Sequence, residues 1–313
     1  MNNQLTTQQF TYELERTLEN NIAAIYLAGK VATSRRVLLS DLNAIAELLG
    51  HANCSTVNWG KLRYKHTQAI RTKLAETRKP ATVNRMLSAL RGALKAAWLN
   101  DDISERDYKK AIEVKGVKNE TLPSGRTLSG GELKALMIAC NDNRPAGIRD
   151  AAIIAVLYTC GLRRAEVVSL KITDLNQETG ELKVTGKGNK EREAWALNGA
   201  RRALNAWLEL RSDLSEALFQ PINRGGNIQP KHMVKQSIYD MLARRAKQAG
   251  IENFSPHDLR RTFITDILEA GADLSTAAKL AGHKSPQTTM RYDKRDNKVK
   301  MQAVSLLHIP FSG

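Results

Sequence analysis

The sequence predicts a mainly α-helical protein of two domains, a helical N-terminal domain followed by a mostly helical second domain with a small antiparallel β-sheet. Three observations carry that expectation. Apolar residues recur at helical spacing along most of the chain, a single interval alternates as strands do, and one interior stretch loses periodicity altogether. At 313 residues the chain exceeds the usual size of one compact domain and can bury a core without staples.

In the first domain, Tyr12, Leu14, Leu18, Ile22 and Ile25 form one helical pattern, and Leu42, Ile45, Leu48 and Leu49 a second. Ser40 is placed to cap the second and Gly50 to end it. A third runs through Val83, Met86, Leu87, Leu90, Leu94 and Trp98. This domain is expected over residues 1–117. Periodicity lapses in KGVKNETLPSGRTL, so a linker is expected at 118–127 and the second domain at 128–313. There, Ser129 and Glu132 have capping-box spacing ahead of Leu133, Leu136 and Met137. Another helix runs from Ile148 to Cys160 and stops at Gly161. GELKVTG and EREAWAL flank the turn GKGNK and read as a hairpin. Helices resume near Ala200 and continue almost to the end.

The composition, 42% hydrophobic and 26% charged, is that of a globular protein. Its charge balance is less ordinary: 48 Lys and Arg face 32 Asp and Glu, a net charge of +16 and a pI near 9.8. A polyanionic partner is the leading explanation. The basic residues concentrate between 61 and 100, where Lys61, Arg63, Lys65, Arg71, Lys73, Arg78, Lys79, Arg85, Arg91 and Lys95 oppose Glu76 alone. Such a stripe on helices can neutralise phosphates, each cation gaining affinity by releasing a condensed counterion, or it can be a solvated face. Lys61, Arg63, Lys65, Arg71, Lys73, Arg85, Arg91 and Lys95 are the DNA-binding candidates.

Other classes fit poorly. The longest apolar stretch, Ala151 to Leu162, is about 12 residues, short of the roughly 20 a spanning helix needs. Residues 1–10 lack the basic and apolar regions of a secretory leader. Cys54, Cys140 and Cys160 lie far apart with no CxxC spacing, which suggests neither disulfides nor zinc and fits a reducing cytoplasm. The turn TGKGNK lacks the gap and trailing hydroxyl residue of a P-loop, and there is no DxD or HExxH arrangement. No cofactor and no metal is therefore expected.

Four pieces of the C-terminal half can carry chemistry: Gly161-Leu162-Arg163 with Glu166, Gly186-Lys187-Gly188, His257-Asp258-Leu259-Arg260, and Gly282-His283 followed nine residues later by Tyr292. Taken singly, each has an ordinary reading: a helix-start arginine, a solvated turn lysine, packed or surface histidines, a packing tyrosine. Their order and spacing together resemble the catalytic domain of the tyrosine recombinase (phage integrase) family over roughly residues 127–295. The context agrees in SPHDLRRTF around the HxxR box and in LAGHKSPQTTMRY before the tyrosine. Arg164 and Arg261 directly follow the two matched arginines, and Ala165 stands where many relatives carry Ser or Thr.

The resemblance implies a site-specific recombinase that needs neither metal nor ATP. It assigns Arg163 and Arg260 to the charge on the scissile phosphate, Lys187 to protonation of the leaving oxygen, His257 to proton transfer and His283 to a phosphate hydrogen bond. Tyr292 is the nucleophile, leaving a 3′-phosphotyrosine and a free 5′-hydroxyl, and Glu166 supports the site. Planar, permanently charged guanidiniums suit phosphate oxygens, and a phosphotyrosine ester keeps the energy needed for rejoining. The layout looks like the simple Xer and Cre type, two domains clamping double-stranded DNA at specific sites, without room for an extra arm-binding module. The resemblance further implies a tetramer on paired sites, coupled through an apolar tail at residues 300–313 with Val304, Leu306, Leu307, Ile309 and Phe311. Accessory DNA-bending or directionality proteins and a place in a mobile genetic element are compatible with it. The rivals are a type IB topoisomerase and an inactive DNA-binding accessory protein.

Overall fold

The computed structural model describes residues 21–118, 125–186, 189–283 and 285–293, together with 301, 304 and 305. It divides into two compact units, Met1–Leu122 and Pro123–Gly313. Among the described residues there are thirteen α-helices and one two-stranded sheet. The mainly helical architecture expected from sequence is what forms.

The first unit contains α1 (Ile22–Ala28), α2 (Ala32–Leu48), α3 (Tyr64–Thr77), α4 (Pro80–Leu99) and α5 (Glu105–Ile112). Its centre is α4, which has proline at its first turn and buries Val83, Met86, Leu87, Leu90, Ala93, Leu94 and Ala97. Against this face pack Leu42 and Ile45 of α2 and Ile70 and Leu74 of α3. The expected second helix is longer than its apolar pattern: α2 begins after Val31, so Ser40 is an exposed residue inside it and caps nothing. A serine on a solvent-facing helical surface costs a fraction of a kcal/mol, too little to stop a helix already propagating. Gly50 does end that helix, at φ +80°, while His51 donates back to the Ala46 carbonyl. The earlier pattern at Tyr12–Leu18 lies outside the described residues.

The second unit contains α6 (Gly130–Cys140), α7 (Pro145–Thr159), α8 (Arg164–Ser169), β1 (Glu181–Thr185), β2 (Glu191–Trp195), α9 (Asn198–Leu208), α10 (Lys235–Ala249), α11 (Pro256–Glu269), α12 (Leu274–Ala281) and α13 (Pro286–Met290). The expected capping box at Ser129 and Glu132 forms and starts α6. β1 and β2 are antiparallel, Glu181 opposite Trp195 and Thr185 opposite Glu191, as the alternation required. Helices do not continue unbroken after Ala200. Between Leu208 and Lys235 the chain runs in turns and isolated bridges, Lys171 with Ala217 and Ile222 with Ile228, where Pro221, Pro230 and Gly225-Gly226 break helical propagation.

Part of the expected linker is anchored. The Arg126 amide donates to Asp258 at 3.0 Å and the Leu128 amide to the Thr262 hydroxyl at 2.9 Å, so this segment lies along α11. Leu128 is buried with the core. All three cysteines are buried, and burial pushes the Cys140 thiol up to about 12 and Cys160 to about 11, which makes them inert packing groups.

Helix α7 is apolar nearly all round and forms the middle of the second core with Ile153, Ile154, Val156 and Leu157. Where α7 meets α10, Asp150 is fully buried and takes Arg149 at 2.7 Å, Arg245 at 2.9 Å and Arg244 at 3.0 Å. Arg245 also reaches Asp142 at 2.9 Å. Removing the shared carboxylate strands buried guanidiniums, so Asp150→Ala is expected to lower unfolding free energy by about 3–5 kcal/mol, read from urea denaturation.

Candidate active site

The site grows from two glycine turns and two helix starts. At the end of α7, Gly161 adopts φ +57°, and a Cβ there would stand 2.3 Å from the Phe263 ring, so only glycine fits this turn. The turn leads directly into Arg163, which precedes α8, and one turn later the Glu166 carboxylate accepts from the Arg163 amide at 2.9 Å. The Arg163 guanidinium donates to Glu166 Oε1 at 2.6 Å and to the Gly282 carbonyl at 3.1 Å, with its side chain still 42% exposed.

Ser255 and Asp258 form the box that starts α11, and Pro256 occupies its first position. His257 follows at this N-terminus, where helix amides favour an anion. Arg260, one turn on, is buried at 1% exposure and donates to the carbonyls of Gly161, at 2.5 Å, and of Ala281. Helix α12 ends in Gly282 at φ +63°, with the His283 amide returning to the Ala278 carbonyl. His283 Nδ1 lies 2.9 Å from the Thr289 hydroxyl of α13. Beyond α13 comes Tyr292, 8% exposed, its ring stacked on His283 at 6.1 Å and its hydroxyl 3.3 Å from His257 Nε2.

Arg163, Arg164, Tyr239, His257 and Arg260 line one open cleft of about 400 Å³. Five of the six expected catalytic positions therefore gather at or behind one cleft: Arg163, His257, Arg260, His283 and Tyr292. The sixth, Lys187, lies outside the described residues. Glu166, 4% exposed, is also part of the assembly. Burial pushes its carboxyl up, but the Arg163 amide and the guanidiniums of Arg192 and Arg163 outweigh that and hold it below the usual carboxylate range. It is thus an anion shared between two arginines.

Positive charge dominates the rest. Burial, then repulsion from Arg163, pushes Arg260 down to about 9. Burial, then Arg260 and Arg261, lowers His257. Burial, then Arg260 and Arg163, pushes His283 down to about 4. Both imidazoles are neutral at pH 7, and the cleft is poised for an anion that offsets its cations. Because the folded state holds His283 below the ordinary 6.5, the unfolded chain takes the proton first, and stability is lost as pH falls from about 6.5 towards 4. Thermal unfolding across that window is expected to show the loss, and His283→Asn to reduce it.

Two contributors were missed from sequence. Arg192 on β2 donates to Glu166 Oε2 at 2.9 Å and to the Leu280 carbonyl at 3.1 Å. Strand alternation held its signal, since Arg192 shares a face with buried Ala194. Arg261, read only as a rival register for Arg260, places its guanidinium 5.2 Å from the centre of the Tyr292 ring.

The basic candidates of the first unit behave unevenly. Arg63 pairs with Asp107 at 3.2 Å, Arg85 with Asp41 at 3.0 Å and Lys73 with Glu76 at 3.2 Å. Arg71 donates to the Lys115 carbonyl at 2.8 Å, and Arg91 to the carbonyls of Ile112 and Val114, so both pin the chain after α5. Lys61, Lys65 and Lys95 are exposed.

A helical domain that gathers two arginines, two histidines and a tyrosine hydroxyl at one cleft has the build of a DNA strand-transfer enzyme. Residues 126–298 match the model of the phage integrase family, and the chain belongs to that family. It is 36% identical over 226 residues to a tyrosine recombinase XerC of Vibrio cholerae, covering 70% of this chain and 68% of the relative. With the XerC of Corynebacterium glutamicum the match runs over 285 residues at 30% identity, 90% and 88% of the two chains. Among solved structures, XerH bound to a palindromic difH substrate shares the fold at a TM-score of 0.69 and 21% identity, covering 98% of this chain and 91% of that one. A lambda integrase dimer bound to a core site has a TM-score of 0.64 at 17% identity, covering 93% and 96%. The chain is accordingly a site-specific tyrosine recombinase. Neither the topoisomerase nor the inactive accessory protein is favoured. Among the described residues no helix is long and apolar enough to cross a membrane.

Proposed function

We propose that the chain cuts and rejoins double-stranded DNA at specific sites through a 3′-phosphotyrosine at Tyr292. The observation that carries this reading is the Tyr292 hydroxyl 3.3 Å from His257 Nε2, behind a cleft lined by Arg163 and Arg260. In the forward step the Tyr292 oxygen bonds to phosphorus and the bond to the 5′-oxygen breaks. His257, neutral at working pH, receives the phenolic proton, and Lys187 supplies one to the departing 5′-oxygen. Arg163, Arg260 and His283 hold the non-bridging oxygens as charge builds on them. Rejoining runs in reverse, with the 5′-hydroxyl of another strand as nucleophile.

The lysines and arginines of residues 61–100 supply the sequence-independent grip on the duplex, led by exposed Lys61, Lys65 and Lys95. Changing these three to Ala is expected to reduce the slope of log K against log salt by about 2.7, from roughly 0.9 per phosphate contact, measured by titration at several salt concentrations. The complex structures among the fold relatives, including a lambda integrase tetramer on a Holliday junction, support a tetramer on paired sites. Residues 300–313, of which Met301, Val304 and Ser305 are described, are its proposed coupling element. We place the enzyme in the cytoplasm, in an integration, excision or resolution system of a mobile element, with accessory DNA-bending or directionality proteins as further partners.

The test is covalent capture in EDTA on a pool of nicked duplexes with a randomised core. A DNA-linked protein that survives denaturation, on a recurring sequence, supports the reading. No adduct on any member of the pool contradicts it, and adduct on arbitrary DNA together with relaxation of supercoils restores the topoisomerase.

A further inference from the structure

The last turn of a helix leaves its carbonyls without intrahelical partners and carries partial negative charge. At the end of α12 three successive carbonyls meet three arginines from three different elements. Leu280 takes Arg192 of β2 at 3.1 Å, Ala281 takes Arg260 of α11, and Gly282 takes Arg163 from the turn before α8 at 3.1 Å. Two of these arginines line the cleft. Arg192 does not, and its side chain is only 11% exposed.

Its other contact gives it a task. Glu166 places Oε1 on the Arg163 guanidinium and Oε2 on both the Arg163 amide and Arg192, at 2.6, 2.9 and 2.9 Å. With Arg163 as its sole cation, the buried carboxylate would cancel the charge that Arg163 offers a phosphate. Arg192 supplies the second cation and fixes the second oxygen. The fit is tight on the far side too, since a Cβ at Gly282 would stand 3.0 Å from Arg192 Cδ.

We infer that Arg192 is a positioning residue for strand cleavage: it holds the Glu166 carboxylate and, with it, keeps the Arg163 guanidinium set on the end of α12 and available to the scissile phosphate. Arg192 itself stays off the DNA. This rests on the phosphotyrosine chemistry proposed above.

The charges set a direction of effect that a merely structural ion pair would lack. Losing Arg192 leaves Glu166 over-attracting Arg163, and neutralising Glu166 in the same background removes that excess. The test uses the full chain and a nicked duplex recovered by wild-type capture from the random pool, reading single-turnover adduct formation at saturating protein and, separately, the Kd for DNA. Arg192→Gln is expected to slow adduct formation about tenfold while changing Kd less than about twofold. Arg192→Lys recovers part of the rate, and Glu166→Gln combined with Arg192→Gln is no slower than Arg192→Gln alone. Wild-type rates in Arg192→Gln overturn the inference, as do losses that simply multiply in the double variant. If Arg192→Gln fails to fold, judged by thermal unfolding, Arg192→Lys carries the test: a slowed rate at unchanged Kd supports the inference and a wild-type rate overturns it. Wild-type protein that forms no adduct, or forms it away from Tyr292, overturns the underlying chemistry instead, and the inference with it.

Discussion

Tyr292→Phe is expected to bind DNA as the wild type does and to form no covalent adduct, with strand cleavage reduced by more than about 10⁴-fold. The substitution removes one oxygen. Its folded-state cost is the single contact with His257 Nε2, about 1 kcal/mol, while the ring keeps its stack on His283 and its place beneath Arg261. Denaturing gels of the trapped complex, beside a binding titration, separate lost chemistry from lost affinity. Tyr239 also brings a phenol to the cleft, so residual adduct in this variant would point there. Activity persisting in the variant would move the nucleophile elsewhere.

Arg260→Ala carries the second large effect, and it acts on two levels. Chemically it removes the buried cation that the proposed reaction sets on the scissile phosphate, for which a loss of about 10³-fold in cleavage is expected. Structurally it leaves the Gly161 and Ala281 carbonyls without their donor, at a cost of about 2–4 kcal/mol for the two. The levels separate by measurement: stability from urea unfolding, chemistry from single-turnover cleavage at saturating protein. Arg260→Lys retains charge but cannot span both carbonyls, so it should recover stability incompletely and cleavage less. Arg163 is expected to behave differently. Its side chain is 42% exposed, so replacing it should cost rate with little stability.

Much of this site was legible in the sequence because its parts are bound to local signals. The glycine that stops a helix announces where Arg163 stands, and the HxxR spacing sets His257 and Arg260 one turn apart. The small hairpin was legible through alternation, and the core helices α4 and α7 through their apolar repeats. Other features depend on partners far along the chain. Nothing near Arg192 points to Leu280, 88 residues away, nor anything near Arg126 to Asp258, 132 away. Ser40 misled because a good capping residue is also tolerated on an exposed helical face, and only the continuing register of α2 distinguishes the two. The basic stripe was visible as charge, but its division into pins such as Arg71 and Arg91 and exposed lysines requires the fold.

The end of α12 works as an anchor on which arginines from α11, β2 and the turn before α8 converge, and the next residue in the chain is His283. From there the short helix α13 brings Tyr292 back to His257. The cleft arginines and Tyr292 are thereby referred to one corner of the fold, which under the proposed chemistry favours a reproducible geometry for in-line displacement.

The most direct test of the account is to digest the trapped protein–DNA adduct with protease and nuclease and to locate the residual nucleotide by mass spectrometry. The expected result is a single modified peptide with the phosphodiester on Tyr292. A nucleotide on any other side chain, or cleaved DNA with no covalently modified peptide, would contradict it.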